Sequence, residues 1–166
     1  MPAPTIATDI FRQVLSHVPT PVTVVAGHGT TGPVGMTVGS FFSISLEPAM
    51  IGFCVGHNSS SWPLIEQTGG FCVSVLGADQ AALCQRFATK AANRFDDVSW
   101  TPAPSGAPRL TGSLVWIDCR VSMTRAAGDH DIVVGEVEDL GVEDENAAPL
   151  VFHRGGFPRL VVEGGG

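Results

Sequence analysis

Val115-Trp116-Ile117-Asp118-Cys119-Arg120-Val121-Ser122-Met123-Thr124 alternates without a break. Val115, Ile117, Cys119, Val121 and Met123 point one way, while Trp116, Asp118, Arg120, Ser122 and Thr124 point the other. A period of two residues is that of a β-strand, and apolar–polar alternation marks an antiparallel sheet with one covered face. Ile132 to Leu140 reads as its successor, across a turn at Gly128-Asp129-His130-Asp131. Upstream, Pro21 to Ala26, Val34 to Val38, Ala49 to Val55 and Phe71 to Leu76 are further β-rich runs, and Leu150 to Val162 gives one or two short strands. Helices are few. Thr8 or Asp9 caps a first one, with Ile10, Phe11, Val14, Leu15 and Val18 on one face and Pro19 and Pro21 ending it. Ser60 or Ser61 starts a short one carrying Trp62, Leu64 and Ile65, and Asp79 caps another carrying Leu83, Cys84 and Phe87. Thr101 to Pro108 reads as a loop and Gly164 to Gly166 as a tail. Strands outnumber helices and do not alternate with them as a parallel sheet requires, so the chain is mainly β: an antiparallel barrel with a few peripheral helices.

Bulk properties narrow the function classes. At 166 residues the chain fits a single domain over 1–166, with a core from about 10 to 162. Hydrophobic residues make up 44% and charged ones 15%, too apolar for a disordered chain and suggestive of surface hidden in an oligomer. Net charge is −7 with only 9 Lys and Arg, so nucleic acid is not an expected partner. No apolar run is long enough for a membrane span, and Met1 to Thr5 lacks the features of a signal peptide, which leaves the cytoplasm. Cys54, Cys72, Cys84 and Cys119 form no CxxC pair and read as reduced, buried thiols. The histidines at 17, 28, 57, 130 and 153 show no metal-ligand spacing, so no metal is expected.

Four short stretches bear on chemistry. Gly27-His28-Gly29-Thr30-Thr31-Gly32 spells GxGxxG, but Pro33, Gly35, Gly39 and Pro48 follow where a dinucleotide fold needs a helix, so a hairpin loop is expected. Gly35-Met36-Thr37-Val38-Gly39-Ser40-Phe41-Phe42-Ser43 is either a Ser/Thr-rich edge strand and turn or a place where main chain closely approaches a planar heterocycle. Asn58-Ser59-Ser60-Ser61 is either simple helix capping or a phosphate seat. His130 is either a solvated turn residue or an imidazole that orients a nucleotide.

In this order, these stretches resemble the flavin reductase-like family, short-chain NAD(P)H:flavin oxidoreductases with an FMN-binding split barrel. The resemblance runs from about Phe11 to Leu160. It includes Thr20-Pro21-Val22-Thr23-Val24-Val25, the GMTVGSFFSISLEP of Gly35 to Pro48, Ser59-Ser60-Ser61-Trp62-Pro63, Arg94-Phe95, Gly128-Asp129-His130 and Gly156-Phe157. It implies an antiparallel Greek-key split β-barrel, a homodimer, and hydride transfer from NADH or NADPH to FMN or FAD, with reduced flavin diffusing to a flavin-dependent monooxygenase. It also implies roles. Thr37, Val38, Gly39 and Ser40 would line the isoalloxazine and ribityl chain, and Val55, His57 and Asn58 belong to the same site. Ser59 and Ser61 would hold the phosphate, with Phe87, Ala88, Lys90, Arg94 and Phe95 closing that side. His130, as the catalytic residue, would sit near the nicotinamide, helped by Phe157. His57 stands where Arg or Lys is usual, Gly39 replaces a serine and Ser74 an asparagine, which implies a loosely held flavin. Without an Arg cluster for a 2′-phosphate, NADH is favoured over NADPH. The alternative is a flavin- or heme-binding module acting as sensor or electron carrier without turnover.

Overall fold

The computed structural model describes residues 5–161. Met1 to Pro4, the expected tail at 164–166 and the last position of the expected strand, Val162, lie outside these residues. In chain order the elements are α1 (Thr8–Leu15), β1 (Thr20–Pro21), β2 (Thr23–Gly29), β3 (Gly32–Val38), β4 (Phe42–Leu46), β5 (Ala49–Gly56), α2 (Trp62–Glu66), β6 (Gly70–Val75), α3 (Ala81–Phe87), β7 (Trp100–Pro102), β8 (Pro108–Leu110), β9 (Val115–Ala127), β10 (His130–Val142) and β11 (Val151–Phe152). Among the described residues no helix is long and apolar enough to cross a membrane.

A seven-stranded sheet in the order β3-β2-β6-β9-β10-β5-β4 dominates the molecule, and every adjacent pair is antiparallel. Its centre is the β9–β10 hairpin, closed by Gly128-Asp129, where Gly128 has φ 69°. That left-handed conformation favours glycine in a two-residue hairpin turn. Register shifts at Val134/Gly135 and at Val137/Asp139 bend the hairpin. A Cβ on Gly135 would stand 2.5 Å from Phe71 Cζ, so the bend brings backbone against the core. The sheet therefore curls, and Val25, Met36 and Val38 from β2 and β3 meet Ile51, Phe53 and Val55 from β5 across one core. Trp62 and Ile65 of α2 join that core, and Trp62, Phe53 and Phe71 make edge-to-face contacts. β3 and β4 end the sheet and pair with one strand each, so it curls round on itself with an unpaired gap on the side where β3 approaches β5.

β2 is buried over five consecutive residues because both of its faces are covered. Val25 faces the barrel, while Val22 and Val24 pack with Leu76, Cys84, Phe87 and Leu110 beneath α3. The GxGxxG stretch is strand and turn: Gly27 to Gly29 lie in β2, and Gly29 pairs with Gly32 across Thr30-Thr31. This is the expected hairpin.

Several expectations are corrected. β9 has its apolar face covered as expected up to Val121, but Met123 is exposed and Asp118, on the side expected to face water, is fully buried. The cause is the β7–β8 hairpin, whose strands flank and overlap the expected loop 101–108; it lies over β6 and β9 and brings Ala103 and Ala107 onto Cys72 and Trp116. β4 appears as an edge strand between the expected elements. Of the one or two short strands expected over 150–162, the described residues form one, Val151–Phe152, as that expectation allows. α1 ends at Leu15, before Pro19, and Ala7 precedes it with no side-chain cap. Ile10, Phe11, Val14, Leu15 and Val18 are all exposed. α3 begins at Ala81 rather than beside Asp79, because the Gln80 side chain is committed instead to the Gly77 N–H and the Thr111 carbonyl. Neither Ser60 nor Ser61 caps α2; the Trp62 N–H donates to Ser59 Oγ at 3.2 Å.

Candidate functional site

The gap between β3 and β5 opens into a cavity of about 310 Å³. One wall is the end of β3, Met36 to Gly39, and the facing wall is the end of β5, Cys54 to Gly56. Val38 and Val55 send their side chains into the core, so the walls present main chain at these positions. Thr37 Oγ1 donates to the Cys84 carbonyl at 2.8 Å, which fixes α3 against β3 and places Phe87 and Ala88 on the rim.

One end of the cavity is built from hydroxyls and cations. Ser59, Ser60, Ser61, Lys90 and Arg94 line it. Arg94 Nη2 donates to Ser61 Oγ at 2.7 Å and Arg94 Nε to the Ala91 carbonyl at 2.9 Å. Ser61 is buried, and among the described residues neither Arg94 nor Lys90 has a carboxylate partner. Partial burial pushes the Arg94 guanidinium below its ordinary pKa, because desolvation disfavours the charged form. Ser59 Oγ donates only to Met36 Sδ, at 3.6 Å, and a thioether is a weak acceptor. These groups therefore offer donors and positive charge with no anion among them. A phosphate fits that donor set.

His130 marks the other end, and two His–Asp pairs lie at or beside it. His130 opens β10 opposite Gly56 and lines the cavity. Its Nδ1 lies 2.7 Å from Asp129 Oδ1, which directs Nε2 the other way, 3.6 Å from where a Cβ on Gly56 would stand. The hydrogen bond and the charge of His130 hold the Asp129 carboxyl below the usual range. His57 Nε2 lies 3.1 Å from Asp131 Oδ1.

Of the residues singled out from the sequence, Thr37, Val38, Gly39, Val55, Asn58, Ser59, Ser61, Phe87, Ala88, Lys90, Arg94 and His130 converge on this cavity. Four stand outside it. Ser40 Oγ bridges the Cys54 N–H and carbonyl, tying the segment after β3 to β5. His57 is turned to Asp131. Phe95 supports Phe87 from behind, ring centroids 4.9 Å apart. Phe157 packs on Phe152. Met36, Cys54, Gly56, Ser60 and Thr89 line the cavity and were not singled out. Ser60 sits inside the serine run and Met36 inside the Gly35 to Ser43 stretch, so adjacency was a signal for both.

Comparison with known proteins agrees in one direction. The model of the flavin reductase like domain family matches residues 15–160. A flavin reductase of Pseudomonas putida is 43% identical over 148 residues, covering 89% of this chain and 86% of that one. The reductase subunit HsaB of a flavin-dependent monooxygenase from Rhodococcus jostii is 40% identical, covering 89% of this chain and 75% of that one. The Streptomyces globisporus NADH:FAD oxidoreductase SgcE6, solved with NAD and FAD fragments, superposes with a TM-score of 0.86 at 32% identity, covering 97% and 99% of the two chains.

Proposed function

The chain belongs to the flavin reductase-like family, and from that membership we propose that it oxidises NADH to reduce a flavin for a partner flavin-dependent monooxygenase. The observation that carries this reading is the cavity between β3 and β5, with a cationic hydroxyl end and a histidine end joined by main-chain walls. Its volume lies at the lower bound of the ~300–1,000 Å³ range of small-molecule sites. When bound, the flavin supplies the hydride-accepting chemistry and carries the electrons away.

The chain's own residues bind and orient. Ser59, Ser61, Lys90 and Arg94 hold the flavin phosphate, which relieves the unpaired guanidinium. The backbone of Thr37, Val38 and Gly39 faces that of Cys54, Val55 and Gly56 across a slot for a planar ring, with Phe87 and Ala88 excluding water at its edge. Asn58 and Ser60 complete the seat, Ser40 and Phe95 act by holding β5 and Phe87 in place, and His57 pairs with Asp131 at the rim. His130, oriented by Asp129, meets the nicotinamide nucleotide, and Phe157, which packs on Phe152 outside the cavity, is the second residue assigned to that nucleotide. No residue forms a covalent bond to substrate, because alignment of donor and acceptor is the principal demand of hydride transfer.

The protein acts as one domain and as a homodimer. The exposed apolar face of α1 supports that assembly, with Ile10, Phe11 and Val14 each more than half exposed. Free cysteines throughout and a nicotinamide substrate support a cytoplasmic location.

The test is NADH oxidation by purified protein, followed at the nicotinamide absorbance band with and without added FMN or FAD. Turnover that depends on added flavin is the expected result. A protein that retains flavin and does not oxidise NADH would instead be a carrier or sensor, and a colourless inactive one would overturn the reading.

A further inference from the structure

Beyond Arg94 the surface does not close. A trough of about 260 Å³ starts at the far side of this residue and runs over Pro33, Val34, Leu64 and Phe95. Through Thr31, Val34 and Leu64 it continues into a second recess of about 360 Å³, where Thr30 and Gln67 supply polar groups. Arg94 lines both the site cavity and the trough, so it stands between them. Among the described residues no carboxylate lines the cavity, the trough or the recess. FMN ends at one phosphate and needs nothing past Arg94. A ligand whose chain continues through a second phosphate to an aromatic base would meet the guanidinium at the pyrophosphate, then apolar surface, then hydroxyl and amide partners.

Building on the flavin reading above, we propose that this trough takes the adenosine half of FAD, so that FAD rather than FMN is the preferred flavin of this chain. Arg94 bridges the two phosphates. Val34, Leu64 and Phe95 form the apolar bed of the adenosine. The Thr31 hydroxyl and the Gln67 amide offer hydrogen bonds at its far edge, in a side-chain set that can recognise either a ribose or a base.

The experiment compares FAD and FMN binding by flavin-fluorescence titration in the wild type and in Leu64→Trp. Leu64 is exposed and lies outside the site cavity, so the indole fills the trough without touching the FMN-sized part. Thr31→Trp, in the exposed hairpin turn, does the same from the other wall. The expected result is FAD bound more tightly than FMN by about tenfold or more in the wild type. Either variant should remove that preference while leaving FMN affinity and FMN-supported NADH oxidation unchanged. Equal affinities for the two flavins in the wild type would overturn the inference and leave the reductase reading standing. So would a preference that survives both variants. If the variants instead raise the KM for NADH with FMN as the flavin, the trough serves the adenosine of the nicotinamide nucleotide and the inference fails. Binding of neither flavin would overturn the underlying reading itself.

Discussion

Arg94 carries its charge against a serine hydroxyl and a carbonyl rather than a carboxylate. Burial already lowers its pKa, so the folded chain bears a desolvation cost that an arriving anion offsets. Arg94→Met should therefore weaken flavin binding roughly ten- to hundredfold, the range set by losing a charge-assisted hydrogen bond. Fluorescence titration checks this, and unchanged affinity would place the phosphate elsewhere. At the opposite end, His130 holds the Asp129 carboxyl below its ordinary range. A depressed folded pKa contributes stability that is present above the unfolded value and is lost as pH falls through the folded one. For a carboxylate as exposed as Asp129 that contribution is screened, so the readout is the titration itself. Carbon-detected NMR should show Asp129 titrating below ordinary aspartates, and His130→Ala should return it to the ordinary range. The same variant should raise the KM for NADH with little change in flavin affinity, because His130 lies at the end away from Arg94 and Lys90. A histidine that only decorates the turn would move neither.

The elements that set the site's shape depend on two buried devices. Asp118 is fully buried in β9, and its carboxylate accepts from the Ser105 N–H at 2.8 Å and from Ser105 Oγ at 2.6 Å. This clasp holds the β7–β8 hairpin on the sheet. Ser105→Ala leaves one carboxylate oxygen short of a partner in a dry setting and should cost about 1–3 kcal/mol, seen as a lower urea midpoint. Burial and the nearby Asp118 together push the neighbouring Cys72 thiol up to about 12, so this pocket holds an unreactive cysteine rather than a nucleophile. At the bend of β10, Gly135 lies against Phe71 and Cys119 with no room for a methyl group. Gly135→Ala should destabilise the chain by about 1–3 kcal/mol through overpacking. It should also weaken flavin binding, because the bend decides how far β5 stands from β3.

At the scale of the whole molecule, α1 turns an apolar face to solvent within one chain, and Phe42, Ile44 and Leu46 of β4 with Leu140 and Val142 of β10 are exposed as well, while the buried apolar residues fill the barrel and the packing beneath α3. In the proposed homodimer that face is covered. Phe11→Glu with Val14→Glu should then shift the protein towards monomer in sedimentation analysis while leaving the far-ultraviolet spectrum of the barrel intact. A dimer that survives would move the interface away from α1. Much of this architecture was legible in the chain itself. The period of two from Val115 to Thr124, the Gly128-Asp129 turn and the absence of a helix after Gly32 were enough to specify an antiparallel, mainly β protein, since side-chain period and turn chemistry are local properties. The order of Gly35 to Ser43, Ser59 to Ser61, Arg94 and His130 likewise pointed to the residues that meet in the cavity. What the chain could not show was anything that depends on which face a neighbour covers. Asp118 reads as solvent-facing until the 101–108 segment folds over it, and Ser40, His57, Phe95 and Phe157 read as lining residues although cross-strand and ring partners hold them outside the cavity. The trough beyond Arg94 is likewise assembled by β2, β3, α2 and the segment after α3, and only the curl of the sheet brings those surfaces side by side.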